Sequence, residues 1–385
     1  MHPTTLPPRR PARPRSARLA VAGLAVALAA TGLAACEVTP PTLTARTLVS
    51  GLSNPWDLSF TPSGSLLWTE RGGRIMRRQA NGAVNRLAAD MSDLFVSGET
   101  GLMGIAVDPR FARNRQVFTC QGWTDGAAVE VRVVRWRAND AGTALTRVST
   151  VLSGLPSTSG RHGGCRLRFS PSGPLFVGTG DAAVGTNPQD LTSLGGKVLR
   201  IDPDTGAGVA GNPFASSPDV RTRRIWSYGH RNVQGLAIRP RDGSLWSAEH
   251  GPDRDDEVNR ERTGNFGWNP VPGYDESVPM TDRAEFPGAV PAAWSSGFPT
   301  VATSGLAWLA GGRWEGWDDH LVVATLKGES VLVLRPQGDG TLAQVARLYQ
   351  GTFGRIRTAQ LGPDGLLYLT TANGSGDRIV RVTPS

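Results

Sequence analysis

This sequence has few of the residues on which catalytic and metal sites are usually built: five histidines and three cysteines in 385 residues, with 19% of positions charged. None of the cysteines sits in a Cys/His spacing that suggests zinc. No G-x-G-x-x-G motif opens a helix, which excludes the usual dinucleotide loop. No dense Lys/Arg stripe is interleaved with aromatics, so nothing points to nucleic acid. No long stretch carries a helical period, which argues against a helical bundle. The formal net charge of +8 also overstates the basic character. Arg9, Arg10, Arg13, Arg15 and Arg18 supply five of those charges before the first acid, and the rest of the chain carries +3.

What the sequence has in quantity is turn chemistry, with 48 glycines and 28 prolines. An apolar run, a Pro/Gly/Asp turn and a second apolar run recur along the chain. Copies begin at Leu58 (LSFTPSGSLLWTE), Gly104 (GIAVDPRF), Leu167 (LRFSPSGPLFVGTGD), Leu236 (LAIRPRDGSLWSAEHG), Leu306 (LAWLAGGRWEGW) and Ala359 (AQLGPDGLLYLTT). SPSG, RDG and PDG preset a tight reversal, and the flanking runs are rich in Val, Leu, Ile, Phe and Trp, as strands are. About six copies at roughly 50–70-residue spacing predict an all-β, six-bladed β-propeller of four-stranded antiparallel blades. One longer break, from Arg262 to Pro299, is too rich in Pro and Gly for a blade. Its Trp268, Tyr274, Phe286 and Trp294 predict an ordered, packed excursion.

The first 35 residues read as an export signal: the arginines precede the small apolar run LAVAGLAVALAATGLAA, which ends at Cys36. LAAC resembles the bacterial lipobox, which implies lipidation at Cys36 and attachment to a membrane by that lipid alone, in the periplasm or cell envelope. Residues 36–47 then read as a tether and 48–385 as one catalytic propeller. In an exported chain Cys120 and Cys165 are compatible with one disulfide, and equally with two buried free thiols.

In a propeller, loops from different blades meet around the axis, so polar residues beside the repeat copies can share one site. Glu99, His162, Asp181, His230, Arg231, Asn232, Lys327, Arg355 and Arg357 all stand in such places. Four of these are Lys or Arg, a set that calls for an anionic occupant, and a flat polycarboxylate suits it better than a nucleotide. GPDRDDE, from Gly251, is an acidic loop suited to a cation.

The words GLMGIAVDPRF, HGGCRLRFSPSGPLFVGTGD, GKVLRIDPDTG, YGHRNVQGLA, EHGPDRDDEVN, NFGW, PTVATSG, LKG and GRIRTAQLGPDGLLYLTT run in order from Gly101 to Thr371, within a likeness that extends over nearly all of Gly51 to Val382. In these the chain resembles the soluble pyrroloquinoline-quinone (PQQ) dependent glucose and aldose sugar dehydrogenases. The resemblance implies oxidation of an aldose at C1 to the lactone, with PQQ and Ca²⁺ as cofactors and an external electron acceptor. It implies His162 as general base, Asp181 as the carboxylate that orients it, and Arg231 near the reacting oxygens. Asn232, Thr300, Lys327, Arg355 and Arg357 match PQQ contacts, and Gly251 and Pro252 match backbone carbonyls that hold Ca²⁺. Glu99 is placed near the substrate, where glucose-specific members carry glutamine, and Phe298 stands where they carry tryptophan. The first leaves the choice of sugar open, and the second points away from strict glucose specificity, so a broad sugar range is expected. A second Ca²⁺ near Glu257 and Tyr274–Asp275 competes with a plainer view of those acids as solvated. His230 is expected to be structural. Two rival functions are a non-catalytic propeller of the hedgehog-interacting type and a Ca²⁺-dependent lactone hydrolase.

Overall fold

The computed structural model describes Met1 and residues 40–385; the export signal and Cys36 lie outside the described residues. The first blade is β2 (Pro55–Phe60), β3 (Leu66–Glu70), β4 (Arg74–Arg78) and β5 (Val84–Leu87). The second is β6 (Leu102–Val107), β7 (Gln116–Thr124), β8 (Val129–Ala138) and β9 (Leu145–Pro156). The third runs β10 (Gly164–Phe169), β11 (Leu175–Thr179), β12 (Lys197–Ile201) and β13 (Ile225–Tyr228). The fourth has β14 (Val233–Ile238), β15 (Leu245–Glu249) and β16 (Glu257–Arg260), and the fifth β19 (Thr303–Trp308), β20 (Leu321–Thr325), β21 (Ser330–Pro336) and β22 (Leu342–Leu348). The sixth has β23 (Ile356–Leu361), β24 (Leu367–Thr371) and β25 (Asp377–Pro384), and its outer strand comes from the other end of the chain, β1 (Leu43–Leu52).

The innermost strands β2, β6, β10, β14, β19 and β23 are neighbours in a closed ring, and each carries one of the repeat copies. The predicted tight reversal follows β2, β10, β14 and β23, whereas a short helix (Phe111–Asn114) follows β6 and a longer connection with one 3₁₀ turn (Glu315–Trp317) follows β19. In SPSG, for instance, Gly173 takes φ 110° and donates its N–H to the Ser170 carbonyl at 3.0 Å. This is a six-bladed β-propeller, as the repeat implied.

The hydrophobic core is divided among six seams between adjacent blades. The seam between the second and third blades packs Phe118, Val131, Val133, Leu167, Val177 and Leu199, and it contains a disulfide between Cys120 on β7 and Cys165 on β10. The question left open by the sequence is thereby settled in favour of the bond.

Two features depart from expectation. The stretch read as a tether becomes strand from Leu43: Leu43 to Thr47 pair with Pro384 to Val380, because the last blade has only three strands of its own to offer. The excursion from Arg262 to Pro299 is ordered as expected, but it also contributes to two sheets. β17 (Gly264–Asn265) adds a parallel fifth strand to the third blade, and β18 (Trp294–Ser295) completes the fourth. Among the described residues no helix is long and apolar enough to cross a membrane.

The disulfide closes a 45-residue loop across one seam. Replacing both cysteines by serine should therefore lower the denaturant unfolding free energy by about 2–5 kcal/mol while leaving far-ultraviolet circular dichroism unchanged. An unfolding midpoint equal to that of the parent would show that the seam packing alone suffices.

Candidate active site

His162 and Asp181 lie at the two ends of one hairpin. His162 precedes β10 and Asp181 follows β11, so pairing of these strands brings both to the axial end of the third blade. Gly180 makes this approach feasible, because a Cβ there would lie 1.8 Å from the His162 carbonyl oxygen. Asp181 Oδ1 is 2.8 Å from His162 Nδ1 and accepts the Ala183 N–H at 2.8 Å. Asp181 Oδ2 accepts the Trp268 indole N–H at 2.9 Å and the Tyr274 hydroxyl at 2.7 Å. Both carboxylate oxygens are thus occupied by donors, which fixes the carboxylate and holds the imidazole with its Nδ1 proton toward Asp181. The Tyr274 oxygen also lies 3.0 Å from His162 Nδ1. Burial, reinforced by Asp181, pushes the Tyr274 phenol well above its ordinary value, so it remains a donor. His162 Nε2 has no hydrogen-bond partner among the described residues.

Glu99 joins this pair to the neighbouring blade. It accepts the His162 backbone N–H at 3.2 Å, the Asn232 amide at 3.0 Å and the Gln234 amide at 3.2 Å. Burial opposes its ionisation, but nearby His250 and His162, with these donors, hold it below the usual carboxylate range. Gln234 in turn accepts the Arg357 guanidinium at 2.7 Å. The Asn232 side-chain oxygen also accepts the Gly164 N–H at 3.1 Å, so Asn232 ties the third blade to the fourth.

Arg231 Nη1 donates to the carbonyls of His250 and Gly251, both at 3.1 Å, and Nη2 pairs with Glu276. The carbonyl of Gly251 therefore already faces a cation. Asp256 shapes this loop from behind, accepting N–H groups of Gly251, Val301 and Ala302. Thr300 lies alongside, its N–H on the Asp253 carbonyl at 3.0 Å and its hydroxyl accepting Lys327 Nζ at 3.1 Å. Among the described residues Lys327, Arg355 and Arg357 have no carboxylate partner within ion-pair distance. Burial pushes the Arg357 guanidinium down to about 9, nearby Glu99 opposes this, and Arg166, Arg355 and Arg71 add to it.

Glu99, His162, Asp181, Arg231, Asn232 and Arg357 thus form one hydrogen-bonded network, with Gly251, Pro252, Thr300 and Lys327 beside it. Arg355 adjoins through Arg357 alone. His230 is fully buried, bonded to Glu249 and Ser227 and stacked on Phe266 at 4.4 Å, a structural position. The acids of GPDRDDE do not converge. Asp253 pairs with Arg254, Asp255 with Ser295, and Asp256 with backbone N–H groups. Glu257 is buried against Thr281, with burial pushing it up to about 8, so it is neither solvated nor grouped with the exposed Asp275. Among the described residues no three acidic, His or Cys side chains are arranged to hold a metal ion.

Sequence reasoning missed Gln234, His250, Trp268, Tyr274 and Glu276 as parts of the site. His250 Nε2 is buried without a partner, and burial pushes this imidazole down to about 3, against the pull of Glu99 and with the repulsion of Arg357 and Arg231. The aromatics of the excursion signalled packing, but nothing local signalled their hydrogen bonds to a blade about ninety residues away.

Residues 52–381 match the glucose/sorbosone dehydrogenase family model. The chain is 32% identical over 356 residues to the aldose sugar dehydrogenase YliI of Escherichia coli, covering 90% of this chain and 94% of that protein. It superposes on the soluble aldose sugar dehydrogenase of Escherichia coli in its apo form with a TM-score of 0.80 at 30% identity, over 89% of this chain and 100% of the other. Against the PQQ-bound aldose sugar dehydrogenase of Streptomyces coelicolor the TM-score is 0.74 at 32% identity, over 90% and 100% of the two chains. Fold and likeness together define an oxidoreductase built on a six-bladed propeller. The chain belongs to the glucose/sorbosone dehydrogenase family.

The unpaired cations yield a prediction that needs no assumption about turnover. Millimolar citrate, a compact polycarboxylate, should raise the melting temperature of the ligand-free protein, and Lys327→Ala with Arg355→Ala should remove that rise. An equal rise in the double variant, by scanning fluorimetry, would place the anion elsewhere.

Proposed function

We propose that this chain oxidises aldose sugars at C1 to the lactone in a PQQ- and Ca²⁺-dependent reaction, with His162 as general base. The observation that carries this is the Asp181 carboxylate, which takes donors from His162, Ala183, Trp268 and Tyr274 and so leaves one imidazole nitrogen for a bound hydroxyl. The side chains around the axis fit the cofactors. Lys327, Arg355 and Arg357 offer cations without carboxylate partners among the described residues, and Thr300 and Asn232 lie beside them, which suits the carboxylates of PQQ. The carbonyls of Gly251 and Pro252 would hold Ca²⁺, and Gly251 already turns its oxygen toward the Arg231 guanidinium.

When bound, PQQ supplies the acceptor for the hydride that leaves C1. His162 Nε2 takes the proton of the C1 hydroxyl as the carbonyl forms. Asp181 holds the opposite nitrogen and stabilises the imidazolium, a role that contributes about 10²- to 10⁴-fold together with general-base catalysis. Arg231 presents positive charge to the oxygens that become electron-rich during the step. Glu99, on the His162 backbone, is placed to accept a sugar hydroxyl, and Phe298, exposed beside Thr300, offers an apolar surface rather than a polar contact. This combination suits a broad range of sugars.

The disulfide supports export into an oxidising compartment, in keeping with a signal in residues 1–35 and lipid attachment at Cys36. Electrons leave to an external acceptor.

Purified protein given PQQ and Ca²⁺ should reduce dye on addition of an aldose. His162→Ala should abolish turnover while PQQ titration, followed by absorbance, still saturates. Tyr274→Phe should lower kcat about tenfold with little change in KM, since it removes the hydroxyl that donates to Asp181 and lies against His162 Nδ1 while leaving Nε2 in place. Full activity in His162→Ala would overturn the base assignment.

A further inference from the structure

Arg161 and Arg231 converge beside the catalytic pair, and a carboxylate of the protein sits between them. Glu276 Oε1 accepts from Arg161 Nη2 at 2.6 Å and from Arg231 Nη2. Three links place this triad next to the reacting centre. Arg161 immediately precedes His162, the Arg231 carbonyl accepts the Asp181 backbone N–H at 2.8 Å, and Glu276 lies two residues beyond Tyr274, whose hydroxyl is bonded to Asp181. The triad spans wall and mouth: the Arg231 side chain is 4% exposed, those of Glu276 and Arg161 35% and 44%.

Glu276 belongs to a turn between β17 and β18, held by the Asp275 N–H on the Pro270 carbonyl and by Ser277 on Asp275. The two guanidiniums belong to different blades and would face one another uncompensated without it. Paired arginines are a strong receptor for carboxylate, because each presents a planar fork of donors. The protein has filled that receptor with its own side chain. A sugar bearing a carboxylate would find the seat taken and would meet the negative charge that occupies it, whereas a neutral sugar meets a triad reduced to a single net positive charge.

We propose that Glu276 is a specificity-determining residue: it occupies the carboxylate seat between Arg161 and Arg231 and turns the site toward neutral aldoses and against hexuronic acids. The proposal rests on the aldose-oxidising function above. Glu276→Gln keeps the size of the side chain and removes its charge, leaving the two arginines to accept an external carboxylate.

The test compares the parent, Glu276→Gln and Glu276→Gln with Arg161→Gln, each loaded with PQQ and Ca²⁺, using glucose and glucuronate. In Glu276→Gln the ratio of kcat/KM for glucuronate over glucose should rise at least about tenfold, chiefly through KM for glucuronate, and shrink again in high salt. Adding Arg161→Gln should return the ratio toward that of the parent. Calorimetric binding of methyl glucuronide and methyl glucoside, which are blocked at C1, measures the same preference without turnover. A ratio within twofold of the parent in Glu276→Gln, by rates and by binding, overturns the proposal while leaving sugar oxidation intact. A parent that oxidises no aldose would instead refute the proposed function, and the binding arm would still decide whether the seat exists.

Discussion

The constraint on which this molecule depends is closure of the ring. A sheet of three strands, β23 to β25, is completed by β1, which arrives from the opposite end of the chain, and the pairing runs from Leu43 on Pro384 to Leu52 on Asp377. Asp377 secures the join with side-chain bonds: its carboxylate accepts the Asn54 N–H and the Thr371 hydroxyl at 3.0 and 2.7 Å. Closure sets the distance of every inner strand from the axis, so residues as remote as Glu99 and Arg357 come to share Gln234. The same closure buries a polar floor beneath the site. Arg166, fully buried, lies over the Trp56 ring at 4.2 Å and pairs with Asp57 at 2.5 Å, while its Nη1 also reaches Thr358. A cation so enclosed is tolerable only because its partners are fixed by blades one, four and six together.

The site divides its labour between blades and loops. The third blade supplies His162 and Asp181 in one hairpin, and the fourth supplies Arg231, Asn232 and Gln234 along the start of β14. The excursion then lays Trp268, Tyr274 and Glu276 over them. Electrostatically the two halves differ. The blade side collects cations whose partners are amides and hydroxyls, and the excursion brings a carboxylate to the arginines nearest His162. Their sum is cationic around Lys327, Arg355 and Arg357 and nearly balanced at His162.

How much of this was legible in the sequence follows from how local each determinant is. The blades were legible because SPSG, RDG and PDG encode a reversal within four residues and the flanking runs encode the strands. The proximity of His162 and Asp181 was legible for the same reason, since they flank a single hairpin. The short strands β17 and β18 were not, because GN and WS carry no alternation and pair only where tertiary packing holds them. Leu43 to Thr47 were mistaken for a tether since their partner lies over three hundred residues away. The acids of the GPDRDDE loop looked like a cation site, yet their side chains serve turns and backbone N–H groups, a distinction that only coordinates reveal. The disulfide was open for the same reason: two cysteines 45 residues apart say nothing about distance in space.

The excursion from Arg262 to Pro299 is inserted between strands of the fourth blade, it is secured to the third by two residues of parallel pairing, and its tip reaches His162. A chain built this way can vary the loop while the hairpin that bears His162 and Asp181 stays constant. Substitutions between 268 and 276 alter the hydrogen bonding of the carboxylate and the charge at the mouth without entering any interblade seam. Lineages sharing this scaffold can therefore diverge in substrate range through the exposed tip of one segment, while the fully buried Trp268 ties its stem to Asp181.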